Sequence, residues 1–178
     1  MVYVFFAHGF EEIEGITVVD LLRRADIQVK TVSIMEDKLV YGAHGIGVET
    51  DILFKEADFR HCAMVVFPGG MPGTTNLCNH RDLIEEVKAF YDSGKLLAAI
   101  CAAPMVLAKA GLFDGHEATI YPGMETELAG AVPSSETVVK SGQLITSKGP
   151  GTAMEFALAL VELEGREIAQ TLKEELIY

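Results

Sequence analysis

Strand-like apolar runs alternate with helical patterns along this chain. The runs have the length of buried strands and lie at residues 2–7, 27–34, 62–67 and 96–100. Helical periodicity follows the first run as far as about Ala25 and returns at residues 81–92. Near-continuous apolar strands that alternate with helices are typical of a parallel sheet with helices on both faces. We therefore predict an α/β fold, a three-layer α/β/α sandwich with a mainly parallel sheet.

Two glycine-containing segments with short alternating patterns predict β-hairpins. One is an insertion at residues 38–50, and the other spans residues 137–147 with Ser141 and Gly142 as its two-residue turn. Thr152, three residues before Glu155, fits a capping box that opens an apolar helix. Because repeats and linkers are not evident, we expect a single domain over residues 1–178.

Composition, net charge and cysteine spacing disfavour several classes of function. The 178 residues are 49% hydrophobic and 22% charged, enough for a folded core without disulfides or metal. A net charge of -12 disfavours binding to nucleic acid or to anionic lipid. No secretion signal or spanning segment is evident, which predicts a cytoplasmic protein without membrane contact. The three cysteines show neither a CxxC pair nor zinc-ligand spacing, so we expect no metal and no cofactor.

Cys101 has the most informative position of the three cysteines. It ends the apolar run LLAAIC, and small residues and Pro104 follow it as in a first helical turn. A thiol at such a strand-to-helix corner lies where open α/β sheets bind ligands, and helix amides there favour the thiolate. The alternative is a structural cysteine that behaves as a small buried hydrophobe.

Glu14 is the candidate carboxyl partner. Glu11, Glu12 and Glu14 open the first helix, where the helix dipole alone favours carboxylates. Glu14 differs because its helical spacing from Val18 and Leu21 places it on the apolar face. Burial would raise its pKa and allow it to act as a hydrogen-bond donor or a proton shuttle.

The glycine-rich loop at residues 67–73 is the candidate oxyanion site. It follows a predicted parallel strand, so it should lie at the same sheet edge as Cys101. The amides of Gly70 and Ala102 could then bind one oxyanion together. A tight turn without a ligand is the alternative. The histidines are not placed by the sequence as a base for Cys101, and Cys62 and Cys78 are interpreted as a core residue and a loop residue.

Four motifs together carry a family resemblance: AHGFEEIE at 7–14, FPGG at 67–70, AAICAAP at 98–104 and SKGPGT at 147–152. With these motifs the whole chain resembles the ThiJ/PfpI superfamily, in the branch of the parkinsonism-associated protein deglycase and its bacterial relatives. The resemblance implies a flavodoxin-like fold and a homodimer. It also implies Cys101 as reactive thiol, Glu14 as its protonated partner, and Gly70 and Ala102 as amide donors.

The resemblance leaves several functions open. The leading hypothesis is a cysteine-dependent enzyme, glyoxalase-like or deglycase-like, whose partner is a small 2-oxoaldehyde or a glycated protein. The first alternative is a non-enzymatic sensor of oxidative stress or a redox-regulated chaperone. A cysteine peptidase or amidase ranks lower, because the peptidase branch has a histidine directly after the nucleophile and this chain has Ala102.

The chain departs from the family pattern at three positions. Tyr121 stands where relatives often carry a histidine near the cysteine. His44 falls where a family arginine lies near the pocket, and Lys148 replaces the arginine of the RGPGT-like motif. Tyr121 and His44 are therefore candidate pocket residues, and anion recognition is expected to differ.

Overall fold

A computed structural model describes residues 1–178. The strands are β1 Val2–Phe6, β2 Val29–Ser33, β3 Leu39–Tyr41, β4 Gly47–Glu49, β5 Ile52–Leu53, β6 Met64–Phe67, β7 Leu96–Ile100, β8 Glu117–Ala118, β9 Val132–Pro133, β10 Val138–Ser141 and β11 Leu144–Ser147. The helices are α1 Glu12–Arg24, α2 Gly73–Asn79, α3 Arg81–Asp92, α4 Pro104–Lys109, α5 Ala153–Glu162 and α6 Arg166–Glu175.

A seven-stranded sheet with the order β10-β11-β7-β6-β1-β2-β5 forms the middle layer. Every neighbouring pair in it is parallel except β10 and β11. β1, β6 and β7 are adjacent in the sheet, so the segments that follow them meet at one edge. This edge brings together the start of α1, the glycine-rich loop and Cys101.

Both faces of the sheet are buried. Along β1, Tyr3 and Phe5 belong to one apolar cluster, whereas Val4 and Phe6 belong to the other. Helices α1, α5 and α6 pack in the cluster of Val4, and α2, α3 and α4 cover the opposite face. The alternation of side chains along a strand explains why the apolar runs are continuous. The predicted three-layer sandwich with a mainly parallel sheet is confirmed.

The inserted hairpin is confirmed as the antiparallel pair β3 and β4. The second hairpin is also present, but its turn is Gly142 and Gln143, because Ser141 still pairs with Leu144. The predicted turn was thus wrong by one residue, and Gly142 supplies the positive φ of 60°.

The predicted capping box at α5 was wrong. The Thr152 hydroxyl donates to the Gly149 carbonyl at 2.9 Å and lies 2.8 Å from the Ser147 hydroxyl. It therefore points back into the preceding 3-10 turn, Pro150–Thr152, and caps no amide of α5. Separately, no helix combines the length and hydrophobicity needed to cross a bilayer.

Candidate functional site

Cys101 occupies a strained corner directly after β7. Its φ is +64°, a left-handed conformation that costs about 1–2 kcal/mol for a residue other than glycine. Two hydrogen bonds hold this peptide: the Cys101 N–H donates to the Ser147 carbonyl at 3.0 Å, and the Tyr121 N–H donates to the Cys101 carbonyl at 2.9 Å. Cys101 is partly exposed, whereas Cys62 is 2% exposed. The strain and the two backbone bonds fix the side chain at the sheet edge.

Glu14 lies fully buried on the face of α1 that packs on the sheet. The Gly69 N–H donates to its Oε2 at 2.7 Å, and its Oε1 is buried without a hydrogen-bond partner of ordinary geometry. Cys101 nevertheless interacts with this carboxyl strongly enough to shift the pKa of both groups. An unpartnered buried carboxyl oxygen is costly unless it carries or receives a proton. The arrangement therefore favours a proton between Glu14 and the thiol.

Gly69 makes the close approach of the two side chains possible. A Cβ at Gly69 would lie 2.6 Å from the Cys101 Cβ and 2.9 Å from Glu14 Oε2. Both distances are too short for non-bonded heavy atoms, so only glycine fits between the two groups. Sequence reasoning missed this residue; the FPGG motif was its only signal.

Burial determines the titration of the pair. It raises the pKa of Glu14 to about 7, although the Gly69 amide and Cys101 act in the opposite direction. Burial and the Glu14 carboxylate raise the pKa of Cys101 to about 12, against the amides of Gly70 and Ala102. The sequence predicted an environment that favours the thiolate, and the direction of this pKa shift is the opposite.

The two shifts describe one coupled pair. Glu14, with a pKa near 7, gives up its proton before Cys101, whose pKa is near 12, so the pair retains one proton between these two values. If that proton is on sulfur, Glu14 is a buried carboxylate with a single amide donor. If it is on Glu14 Oε1, the thiolate faces two amide donors and a carboxyl O–H. The thiolate thus exists at neutral pH only in the form that protonates Glu14.

The amides of Gly70 and Ala102 lie at the Cys101 side chain. Both backbone N–H groups interact with the Cys101 side chain and lower its pKa. Gly70 has a φ of +89°, and a Cβ there would lie 2.4 Å from the Glu11 nitrogen. This close contact between loop and α1 holds the Gly70 amide at the sulfur. An anion at this position would meet both donors.

His44 contacts the carboxylate of Glu12 and not the predicted functional carboxyl of Glu14. Its N–H donates to Glu12 Oε1 at 2.8 Å, and its Nδ1 lies 2.8 Å from Glu12 Oε2. The hydrogen bond with Glu12 raises the pKa of His44. His44 therefore fastens the inserted hairpin to α1, an interaction that the sequence did not indicate.

Tyr121 reaches Cys101 through its backbone. The residue is 47% exposed, and its ring packs beside Gly149. The structure thus places Tyr121 at the rim of the site and His44 beyond Glu12.

No imidazole hydrogen-bonds Cys101. His8 Nδ1 accepts from the Tyr41 N–H, and His80 Nδ1 accepts from the Leu83 N–H at the start of α3. His116 lies between the hydroxyls of Tyr91 and Ser141. Within one chain the thiol therefore lacks the histidine base that a cysteine peptidase uses. Glu14 is the titratable side chain that contacts it.

Replacing Gly69 by alanine is expected to open the site. The new Cβ must displace Cys101 or Glu14, so the free energy of unfolding should fall by about 1–3 kcal/mol. Urea denaturation measures the effect. Gly151→Ala is the matched control, since a Cβ at Gly151 meets nothing within 4 Å. Equal losses in the two variants would contradict the close packing at Gly69.

Glu14 should make the protein less stable as pH rises from about 4.5 to 7. Its pKa is near 7 folded against 4.5 in an unfolded chain, so the folded state holds the extra proton in this interval. The shift corresponds to about 3 kcal/mol, present in full below pH 4.5 and lost by pH 7. Denaturation should show the Glu14→Gln variant gaining that amount over the wild type across this interval. A pH-independent difference would contradict the raised pKa.

The strained thiol, the adjoining carboxyl and the two amides place the protein among α/β sandwiches with a cysteine at a strand-to-helix corner. The model of the DJ-1/PfpI family matches residues 1–163, and the chain belongs to this family. This confirms the resemblance drawn from the four motifs.

Individual relatives agree with the family assignment. The chain is 39% identical to Protein dj-1beta of Drosophila melanogaster over 178 residues, covering 98% of this chain and 95% of that protein. It is 38% identical to Protein DJ-1 homolog B of Arabidopsis thaliana over 92% of this chain, but it spans only 38% of that longer protein. The solved structure of oxidized Toxoplasma gondii DJ-1 has a TM-score of 0.95 and 35% identity, covering 99% of this chain and 97% of that one.

Proposed function

We propose that the protein is a cysteine-dependent enzyme that converts small 2-oxoaldehydes, or their adducts on proteins, into 2-hydroxy acids. The observation that carries the proposal is the contact of the strained Cys101 with the fully buried carboxyl of Glu14. A group with a pKa near 7 both gives and takes protons efficiently at neutral pH. The amides of Gly70 and Ala102 add donors for a developing oxyanion.

The first chemical step is addition of the Cys101 thiolate to the aldehyde carbon. A carbon–sulfur bond forms, and the carbonyl electron pair moves to oxygen. The amides of Gly70 and Ala102 stabilise that oxygen, and Glu14 donates its proton to it. Glu14 is then a carboxylate, and the product of the step is a hemithioacetal.

The second stage moves hydrogen between neighbouring carbons. The Glu14 carboxylate removes the proton from the carbon bonded to sulfur, and the electron pair passes to the adjacent ketone through an enediol. Return of this proton to the second carbon, together with transfer of the hydroxyl proton from the oxygen on the first carbon to the oxygen on the second, leaves a thioester. Water then cleaves the thioester to a 2-hydroxy acid and restores Cys101. No external oxidant is needed, because one carbon is oxidised while its neighbour is reduced.

The direct test uses methylglyoxal as substrate. Purified protein should convert it to lactate, which chromatography detects, at a rate that rises with pH through about 7 as the pair loses its first proton. A glycated peptide tested in parallel distinguishes free aldehyde from protein adduct as the preferred substrate. Failure to turn over both would reject the enzymatic proposal.

An oxidation sensor is the second candidate. It is favoured by the similar Toxoplasma gondii DJ-1, whose solved structure is of the oxidized protein. In this chain a sulfinate formed from Cys101 and peroxide could accept hydrogen bonds from protonated Glu14 and both amides. Mass spectrometry after mild peroxide should then show two added oxygens on Cys101 in preference to Cys62 and Cys78. Equal oxidation of all three would count against this role.

We also propose a partner and a compartment. A second copy of the chain would cover exposed apolar side chains on α1 and the hairpin, which are Ile13, Ile16, Tyr41 and Ile46. Sedimentation should show a homodimer; a monomer at high concentration would reject it. We place the protein in the cytoplasm because its reducing conditions keep a reactive thiol available.

A further inference from the structure

A small cavity with both polar and apolar walls lies beside the site. It has a volume of about 170 Å³, and its walls come from residues 118–120, Pro122, the loop at Glu125 and Leu128, residues 133–135 and Lys148. Neither Cys101 nor Glu14 lines it. The cavity has room for an organic molecule of a few heavy atoms, since one water occupies about 30 Å³ in the liquid.

Lys148 brings a positive charge to this cavity, whose lining also includes Glu125. Its ammonium donates to the Ser135 carbonyl and forms no salt bridge. An ammonium has three donors, so two remain for a ligand. The protein as a whole carries a net charge of -12, which makes a partly buried lysine without a carboxylate partner informative.

Besides Lys148 and Glu125, the wall carries hydroxyl side chains. Thr119 is 2% exposed, and its hydroxyl makes no hydrogen bond within the protein although it lines the cavity. The Ser134 hydroxyl accepts from the Glu136 N–H and keeps its own proton for donation. A hydroxyl without a partner in the protein is free to form a hydrogen bond with a molecule in the cavity.

We propose that this cavity binds a small organic monocarboxylate, with its negative charge at Lys148 and its polar substituent at the hydroxyls. One ammonium balances one negative charge. Glu125 also lines the cavity, and its carboxylate, which accepts from the Gly123 N–H, repels a dianion such as phosphate more strongly than it repels a monocarboxylate. The site goes beyond the proposed enzymatic reaction, because Cys101 forms no part of it.

Two backbone hydrogen bonds connect the cavity to Cys101. Ser147, which accepts the Cys101 N–H at 3.0 Å, precedes Lys148; Tyr121, which donates to the Cys101 carbonyl at 2.9 Å, lies between the lining residues Ile120 and Pro122. Lining residues are therefore the sequence neighbours of both residues that hydrogen-bond the strained peptide. Occupancy is expected to change the rate at which Cys101 reacts with iodoacetamide.

The test adds glycolate to the full-length protein. Binding is detected as changes in the chemical shifts of the backbone amides. The expected dissociation constant is about a millimolar for so small a ligand, with shifts at Thr119, Ile120 and Ser135. Lys148→Met should weaken binding at least about tenfold, because a charge-assisted hydrogen bond is lost. Lys148→Arg should retain binding. Lys140→Met, which removes the same charge from an exposed position on β10, should bind as the wild type.

Two further experiments test whether binding depends on the negative charge and on Cys101. Glycolamide, the neutral isostere, should not bind, and equal binding of glycolate and glycolamide would overturn the proposal even if Lys148→Met failed to fold. Shifts spread over other surface lysines, or no shifts, would overturn it as well. Cys101→Ala should bind glycolate as the wild type does. The binding result therefore does not depend on whether the enzymatic proposal is correct.

Discussion

Replacing Cys101 by alanine should abolish the conversion of methylglyoxal. The nucleophile forms the bond on which every later step depends, so kcat/KM is expected to fall about 1,000-fold or more. Stability should not fall in parallel, because the positive φ of 64° at this position is strained for cysteine and alanine alike. Chromatographic measurement of lactate, with a parallel denaturation curve, separates the two effects.

Cys78→Ala is the matched control for this experiment. Cys78 is also a free, partly buried thiol, but it lies on α2 and packs against the apolar cluster on the opposite face of the sheet from α1. Its replacement should leave turnover within about twofold of the wild type. If Cys101→Ala kept its activity, or if both variants lost it, the assignment of the nucleophile would be wrong.

Replacing Glu14 by glutamine should have the second-largest effect. Glutamine keeps the shape of the side chain and can accept the Gly69 N–H, but it cannot transfer a proton. Removal of a positioned acid-base group is expected to lower kcat/KM by about 10²–10⁴. The rise of the rate through pH 7 should disappear, because that rise reports the first proton lost from the pair.

The same variant should lower the pKa of the Cys101 thiol. The Glu14 carboxylate is one of the causes that raise this pKa to about 12, and glutamine removes its charge. Glu155→Gln is the control, an exposed residue in the first turn of α5. Loss of turnover in both variants, or an unchanged pH profile in Glu14→Gln, would remove Glu14 from the mechanism.

Hydrophobic patterning was sufficient to predict the layers and the corner. Parallel strands buried on both faces leave continuous apolar runs, and the end of one such run located Cys101. Helical spacing placed Glu14 on the buried face of α1, where the structure has it fully buried. These features are local in sequence, so periodicity alone could indicate them.

Features that depend on contacts between distant segments could not be predicted. Gly69 and Glu14 are 55 positions apart, and nothing in either segment shows that one donates to the other. The contact between His44 and Glu12 similarly requires the docked hairpin. The thiol pKa was predicted in the wrong direction because the sequence shows which amides follow a strand but not how deeply the sulfur and the carboxyl are buried together.

The central claim is that Cys101 and Glu14 share one proton at neutral pH. It is tested by following thiolate absorbance and the labelled Glu14 carboxyl together across pH, with Cys101→Ala and Glu14→Gln as references. A shared proton predicts a first proton loss near pH 7 that both probes detect, a second near pH 12, and a shift of the thiol titration in Glu14→Gln. Independent titrations at the ordinary values, near 4.5 for the carboxyl and 9.0 for the thiol, would contradict it.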